Sequence, residues 1–292
     1  MNILNELDRN TKIQRYMDFS KFLHMLESKQ IFMCRIDKFE DKLEGGLTTI
    51  NDFFYSGAAE ALSNLVNNNL PSSLGKGCNS PKSIGEAQKR QQEYEERSRN
   101  KSFMTVFGDI KLPEGLTYKD VIKAQKKWLD VSCWHSATDD TESIAMWKIY
   151  GSDVNSICIT TTIGELLDSI EEDRNTNLSV QQVEYIDHRA DHYNLKVDSK
   201  IAPFVHKHKA YKFENEIRLI AYNQSNDPLA DRDDTGSLIR LKSNDFISSV
   251  KVSPEAPEWF FGLVESVFNG RYGQTGMVAR SDLDDLVTTF SS

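Results

Sequence analysis

Residues 131–150 read VSCWHSATDDTESIAMWKIY, and SICITTTI follows at 156–163. The first piece is apolar and β-prone and predicts a strand ending at Cys133 and Trp134. A polar loop, HSATDDT, comes next. A helix is then predicted from Glu142 to Tyr150, with Ile144, Met146, Trp147 and Tyr150 on or near one face. Asp and Thr in the loop are N-cap candidates and Gly151 supplies a stop. Ile157, Ile159 and the threonine run predict a strand by β-branching, and a further helix starts over 164–170.

Working toward the N-terminus, Phe19, Phe22, Leu23, Met25 and Leu26 recur at helical spacing over 18–28, with Ser20 able to cap. IFMCRI at 31–36 reads as a buried strand carrying Arg35 at its end, closed by DKFEDKLEGG. Toward the C-terminus, QQVEYI (181–186) and EIRLIAY (216–222) predict strands, and the segment between them is expected to hold a helix. Short strands follow at 239–241 and 250–252, and a helix opened by Pro257 runs over 257–268. The order is mixed, without regular βαβ alternation. It predicts a single α+β domain over 1–292, a mixed or antiparallel sheet core with surrounding helices. Residues 65–129 read as a partly helical insertion, polar and broken by Pro and Gly before the charged run QKRQQEYEERSRNKS. It would act as a lid, a solvated excursion or a partner-binding arm.

The 292 residues, 39 % hydrophobic and 10 % aromatic, are enough for a full core without staples. A net charge of -9 argues against a large electrostatic footprint for nucleic acid and leaves room only for a local basic groove. The four cysteines form no CxxC pair, so neither a zinc ribbon nor a disulfide framework is expected, and reduced thiols in a cytoplasm are. The first residues carry charge and no apolar h-region, and no long apolar window occurs, so neither export nor a membrane span is expected.

Candidate chemistry gathers in KHKAYKFENEIR at 207–218. On a strand, period two puts Glu214 and Glu216 on one face. Such a pair raises both pKa values unless a cation or a substrate intervenes, and the plain alternative is an exposed edge with solvated glutamates. Lys207, Lys209, Lys212 and Arg218 nearby suit a phosphate-rich ligand, or ion pairs across a strand. Arg35 has the fork of donors that clamps phosphate, and it can equally pair with Asp37 or Glu44. Trp134 and Trp147 offer faces for a planar ring such as nicotinamide or adenine, with His135 or Glu142 orienting a ribose hydroxyl, and both tryptophans are also fit for a core. Cys133 and His135 share a strand face but have no third orienting group for a nucleophilic dyad. His188, His192, His206 and His208 have permissible metal spacings, yet no carboxylate or cysteine completes a set, and no metal is assigned.

Arg on a first strand, the hydroxyl strand Thr160, Thr161 and Thr162, then Glu214-x-Glu216, resemble the R-S-E arrangement of ADP-ribosyltransferases. That resemblance implies that Arg35 contacts the phosphates of NAD and the threonines brace the pocket. Glu216 would grip the nicotinamide ribose and stabilise an oxocarbenium-like transition state, and Glu214 would activate the acceptor. The chain has Thr160 where that family has serine, and the long gap after Arg35 requires the insertion. A second resemblance covers more of the chain. Tyr16 with F-L-x-x-L, FEDKLEG at 39–45, SCWH, E-S-x-x-M-W-K-x-Y, ITTT and K-x-x-x-F-E-x-E-x-R resemble a bacterial family of unknown function, domain of unknown function 2971. That family often occurs as a stand-alone protein in mobile and phage-related genomic neighbourhoods. Together they imply an NAD-consuming ADP-ribosyltransferase or NAD glycohydrolase, a toxin-like effector in phage defence, with a protein or nucleic acid as acceptor. The alternatives are a metal-dependent nuclease built on Glu214, Glu216 and Lys212, and a non-enzymatic module that senses a nucleotide or peptide.

Overall fold

The computed structural model describes residues 2–3, 7–41, 44–56, 102–111, 115–137, 141–151, 154–193, 200–274 and 277–284, and singly 58, 62, 89 and 92. Its elements are β1 (Asn2–Ile3), β2 (Lys12–Asp18), α1 (Phe19–Ser28), β3 (Gln30–Arg35), α2 (Thr49–Tyr55), β4 (Ser102–Thr105), β5 (Gly108–Lys111) and α3 (Tyr118–Lys126). β6 (Asp130–Ser136), α4 (Ile144–Tyr150), β7 (Ser156–Thr162), α5 (Ile163–Ser169), β8 (Asn177–Gln182), β9 (Glu184–Ile186) and β10 (His206–His208) follow. The chain continues with β11 (Glu216–Tyr222), β12 (Gly236–Arg240), β13 (Ser249–Val252), α6 (Glu258–Glu265) and β14 (Met277–Arg280).

The opening stretch folds as strand, loop and helix, with shifted ends. β6 runs on to Ser136 because His135 and Ser136 still pair with β2. α4 starts at Ile144 because Ser143 takes the cap, its hydroxyl accepting from the Met146 amide at 3.3 Å. At Gly151 a Cβ would lie 2.5 Å from the Trp147 carbonyl oxygen and 2.7 Å from Ser156 Oγ. The close approach of β7 to the end of α4 thus demands glycine there. Asp18, not Ser20, caps α1, accepting from the Lys21 amide at 2.8 Å. The reason is positional: a cap must precede the first helical residue, and Phe19 is already helical. The helix expected between Ile186 and Glu216 is absent among the described residues, which hold instead a 3₁₀ turn at Ala202–Phe204, β10 and a second 3₁₀ turn at Lys209–Glu214. Pro203 and the pairing of β10 with β9 favour these forms over a helix. Most of the expected insertion lies outside the described residues. Its described end is the β4–β5 hairpin and α3, whose Tyr118 and Ile122 join Leu129 in a buried cluster.

Among the described residues ten strands make one mixed sheet, in the order β1-β8-β11-β6-β2-β7-β13-β14, with β3 and β12 branching from β6. Helices cover both faces of this α+β sheet. Phe22, Met25 and Leu26 of α1, Leu166 and Leu167 of α5 and Phe260 and Val264 of α6 pack on Ile13, Met17, Ile157, Ile159, Ile217 and Leu219. Each such side chain contributes about 1.5–3 kcal/mol by leaving water. On the other face α3 packs over Val131 and Ile220, and α4 over Tyr16 and Cys158. Among the described residues no helix is long and apolar enough to cross a membrane.

The branch is the feature that makes a cavity. β2 pairs with β6 only at His135 and Ser136, and β3 pairs with β6 only at Val131 and Asp130. β2 and β3 are drawn apart by their outer partners, β7 and β12, to which each is paired along its length. Ser132, Cys133 and Trp134 therefore face an open fork on that side.

Candidate functional site

Glu214 and Glu216 come together, though not by the pleat of a strand. Glu214 ends the 3₁₀ turn, Asn215 adopts a left-handed conformation (φ 39°, ψ 53°), and Glu216 is the first residue of β11. The Asn215 amide side chain donates to the Ser136 carbonyl at 3.1 Å and holds this corner against β6. An asparagine tolerates the left-handed region better than most residues. The corner turns both carboxylates to one cation. Lys207 Nζ lies 2.5 Å from Glu214 Oε2, 3.5 Å from Glu216 Oε2 and 3.9 Å from Glu44 Oε2. Arg218 donates to both oxygens of Glu216, at 2.8 and 3.1 Å, and meets Glu44 Oε1 at 2.5 Å. Glu44, Glu214, Glu216 and Arg218 are all buried. Three carboxylates thus share two cations, a net charge of -1 by formal charges (three acids, Lys207 and Arg218).

Burial alone would push the Glu216 carboxyl up. Arg218 and Lys207 outweigh it and hold the group down at about 2. Glu216 is therefore ionised at any physiological pH. The neighbouring Cys133 thiol is driven well above its ordinary value by burial and by the Glu216 charge. It stays protonated, which removes it as a nucleophile. Tyr150 donates its hydroxyl to Glu214 Oε1 at 2.8 Å, and His135 Nδ1 lies 2.6 Å from the Glu214 carbonyl oxygen.

A cavity of about 250 Å³ opens from the fork onto this cluster. Glu214, Glu216, Cys133 and His135 form one wall, and the rings of Tyr16, Phe39 and Tyr150 provide apolar faces. That volume suits a nucleoside-sized group, and the lining combines apolar surface with a few directed polar groups.

Several expected site residues lie elsewhere. Arg35 pairs with Asp130 and Glu216 with His135, five residues along β6 and of opposite parity. They therefore sit about 17 Å apart along the strand and on opposite faces. Arg35 is also fully engaged. It makes a bidentate pair with Asp37 (2.9 and 2.7 Å) and donates to the carbonyls of Arg232 (2.6 Å) and Asp234 (2.5 Å). The expectation that it clamps phosphate beside Glu216 is corrected: it closes a corner between β3 and the loop before β12. Thr161 and Thr162 serve α5. The Thr162 hydroxyl accepts from the Glu165 amide and Glu165 accepts from the Thr162 amide, both at 3.1 Å. Thr160 shares the face of Glu216 in a row through Gln14 and His135, three strand spacings and about 14 Å away.

Trp147 is a core residue. Its ring meets Tyr16 edge-on at 4.9 Å and its Nε1 donates to Glu142 at 2.9 Å. Glu142 has no room for a ribose, since it also accepts from Lys251, Ser281 and the Asp282 amide. Trp134 points away from Glu216 into the opposite core, Nε1 donating to Ser132 Oγ at 3.0 Å, and it also borders the cavity. Three of the four histidines are used locally: His206 pairs with Glu184, His208 caps the turn at Ala210, and His192 faces the Tyr193 carbonyl, while neither ring nitrogen of the buried His188 makes a hydrogen bond among the described residues. Among the described residues no three His, Cys, Asp or Glu side chains converge as metal ligands.

The sequence allows Lys207 and Arg218 to hold phosphate or to pair with carboxylates, and in the structure both pair with the carboxylates. Arg15 and Tyr150 are cavity residues that the motifs do not point to. The signal for Arg15 is the alternation Ile13, Arg15, Met17 on β2, which puts a charge on a core-facing position. No curated protein and no solved structure matches this chain. Residues 146–219, from the buried face of α4 through the Glu214–Glu216 corner to Leu219 of β11, match the model of the family described as protein of unknown function (DUF2971), the family that the sequence resembles.

Proposed function

We propose that this cavity cleaves the N-glycosidic bond of NAD, as a glycohydrolase or as an ADP-ribosyltransferase with a macromolecular acceptor. The observation that carries the reading is Glu216: a buried carboxylate held ionised by Arg218, in the wall of a ring-lined cavity and beside a second carboxylate. A fixed negative charge in a dry site favours a transition state in which positive charge develops at ribose C1′. The C1′–N bond breaks and its electron pair leaves on the nicotinamide nitrogen. An oxygen of water or of the acceptor bonds to C1′, and its proton passes to the Glu214 carboxylate. A toxin-like role in phage defence, implied by the family resemblance, belongs to the same proposal. A metal-dependent nuclease is less favoured because Lys207 and Arg218 already neutralise the carboxylates that would bind the metal.

The test is nicotinamide release from NAD by the wild type and by Glu216→Gln, with and without cell lysate as acceptor. Thermal unfolding of both proteins checks that the variant is folded. Release by the wild type that falls by about 10² or more in the variant supports the reading. No release from a folded wild type refutes it. The internal neutralisation of Glu214 and Glu216 favours a second reading, a sensor that binds without turnover, and NAD protection against unfolding with no release selects it.

A further inference from the structure

We infer that Arg15, laid against Trp134 in the fork between β2 and β3, is the subsite for a phosphate group of the ligand. This deepens the nucleotide reading of the cavity and rests on it for the rest of the ligand. Among the described residues the arginines buried in this fold carry carboxylates: Arg35 holds Asp37, Arg218 holds Glu216 and Glu44, and Arg232 holds Asp130 and Asp234. Arg15 is the exception. Among the described residues its guanidinium makes no hydrogen bond and no ion pair, and it lies over the Trp134 ring, 5.7 Å from the ring centre. A ring face offsets part of a cation's lost hydration but accepts none of its five N–H groups. Burial pulls the Arg15 pKa below the ordinary arginine value, as expected for a half-buried cation with no counterion among the described residues.

The fork gives this cation a place to act. Arg15 lines the same cavity as Glu216, but it alternates with Gln14, which is in register with His135 and Glu216, so it reaches the cavity from the other face of the sheet, at the fork. Two strand spacings, about 10 Å, separate the backbones that carry them. A ligand of nucleotide size that enters the opening between β2 and β3 would place its phosphate at Arg15 and its sugar at Glu216. Gln14, next to Arg15 on β2 and on the Glu216 face, also lines the cavity: its side-chain oxygen accepts from Tyr16 at 3.0 Å, and its amide nitrogen makes no hydrogen bond among the described residues. The planar fork of a guanidinium matches two phosphate oxygens at once, and the carboxylates of this cavity, Glu214 and Glu216, are already paired with Lys207 and Arg218.

The experiment measures binding to the full chain, by tryptophan fluorescence and thermal unfolding, of four probes: inorganic phosphate, acetate, AMP and adenosine. Wild type is compared with Arg15→Met and Arg15→Lys. Phosphate and AMP are expected to raise the wild-type Tm while acetate does not. Arg15→Met is expected to melt no lower than wild type without ligand, because it removes an uncompensated charge. Its affinity for AMP falls at least about tenfold while that for adenosine holds. Arg15→Lys keeps the charge without the fork and falls between the two. Equal AMP affinity in wild type and Arg15→Met, no phosphate effect on wild type, equal protection by acetate, or a lower unliganded Tm in Arg15→Met each overturns the subsite. The two proposals separate cleanly. AMP protection that needs Arg15 in a protein that leaves NAD intact keeps the subsite and sinks the glycosidic reading. NAD turnover with an unchanged KM in Arg15→Met does the reverse.

Discussion

Replacing Lys207 by methionine tests the account of the buried cluster, because the methylene stem is kept and only the ammonium goes. Nζ sits within 4 Å of Glu214, Glu216 and Glu44. Arg218 still serves Glu216 and Glu44 in the variant, so Glu214 is the carboxylate left buried without a cation. Removing one partner of a buried ion pair costs about 3–5 kcal/mol, a large part of the roughly 5–15 kcal/mol that holds a domain folded. Lys207→Met is expected in that range at pH 7, by urea unfolding followed through the four tryptophans. Lys207→Met with Glu214→Gln should recover about 2 kcal/mol or more relative to additivity, since the orphaned charge is then gone. The pH dependence has opposite signs in the two proteins. In wild type the depressed Glu216 pKa contributes stability that is complete above the ordinary glutamate value and is lost as pH falls toward about 2. In Lys207→Met the orphaned carboxylate takes up a proton in the folded state before it does in the unfolded chain. The gap to wild type should therefore narrow from pH 7 to pH 5. A cost under 1 kcal/mol, or single and double variants that simply add, refutes the shared-cation account.

Three further outcomes follow from the geometry. Asn215→Ala should cost about 1–2 kcal/mol through its left-handed backbone, and Asn215→Gly less, with both weakening any activity of the Glu214–Glu216 corner, as read by chemical unfolding and turnover. Glu142→Gln should cost about 2–4 kcal/mol in thermal unfolding, because an amide places a donor against Trp147 Nε1 or the Asp282 amide where the carboxylate accepts from both. Cys133 should resist alkylation by iodoacetamide at pH 8 in the native protein and react on unfolding, its thiol being held protonated by burial and the Glu216 charge. Labelling of Cys133 as fast as a free thiol would contradict that environment.

Periodicity and composition were sufficient for many elements: the amphipathic α1, the β-branched β7, the apolar β11 and the mixed order that favours α+β over a doubly wound sheet were legible without coordinates, whereas the helix expected between Ile186 and Glu216 was not found among the described residues. Those signals are local, set by backbone propensity and by the burial period of one segment. The E-x-E pair was legible for the same reason, as two carboxylates close in the chain. What they meet was not. A left-handed Asn215, rather than a pleat, joins them, and Glu44 arrives from a loop some 170 residues away. Arg35 resembled a phosphate clamp because a lone arginine at a strand end has the right chemistry in any setting. Only the pairing of β3 with Asp130, at the far end of β6 from His135, showed that it faces away and is spent on Asp37. Arg15 had the reverse history: an unremarked residue in a charged N-terminal stretch became an unpaired cation in a cavity once β2 and β3 split around β6. Sequence specifies which segments are strands through short-range preferences. Which strand ends meet, and which charge is left without a partner, is decided by long-range pairing that only the tertiary structure contains.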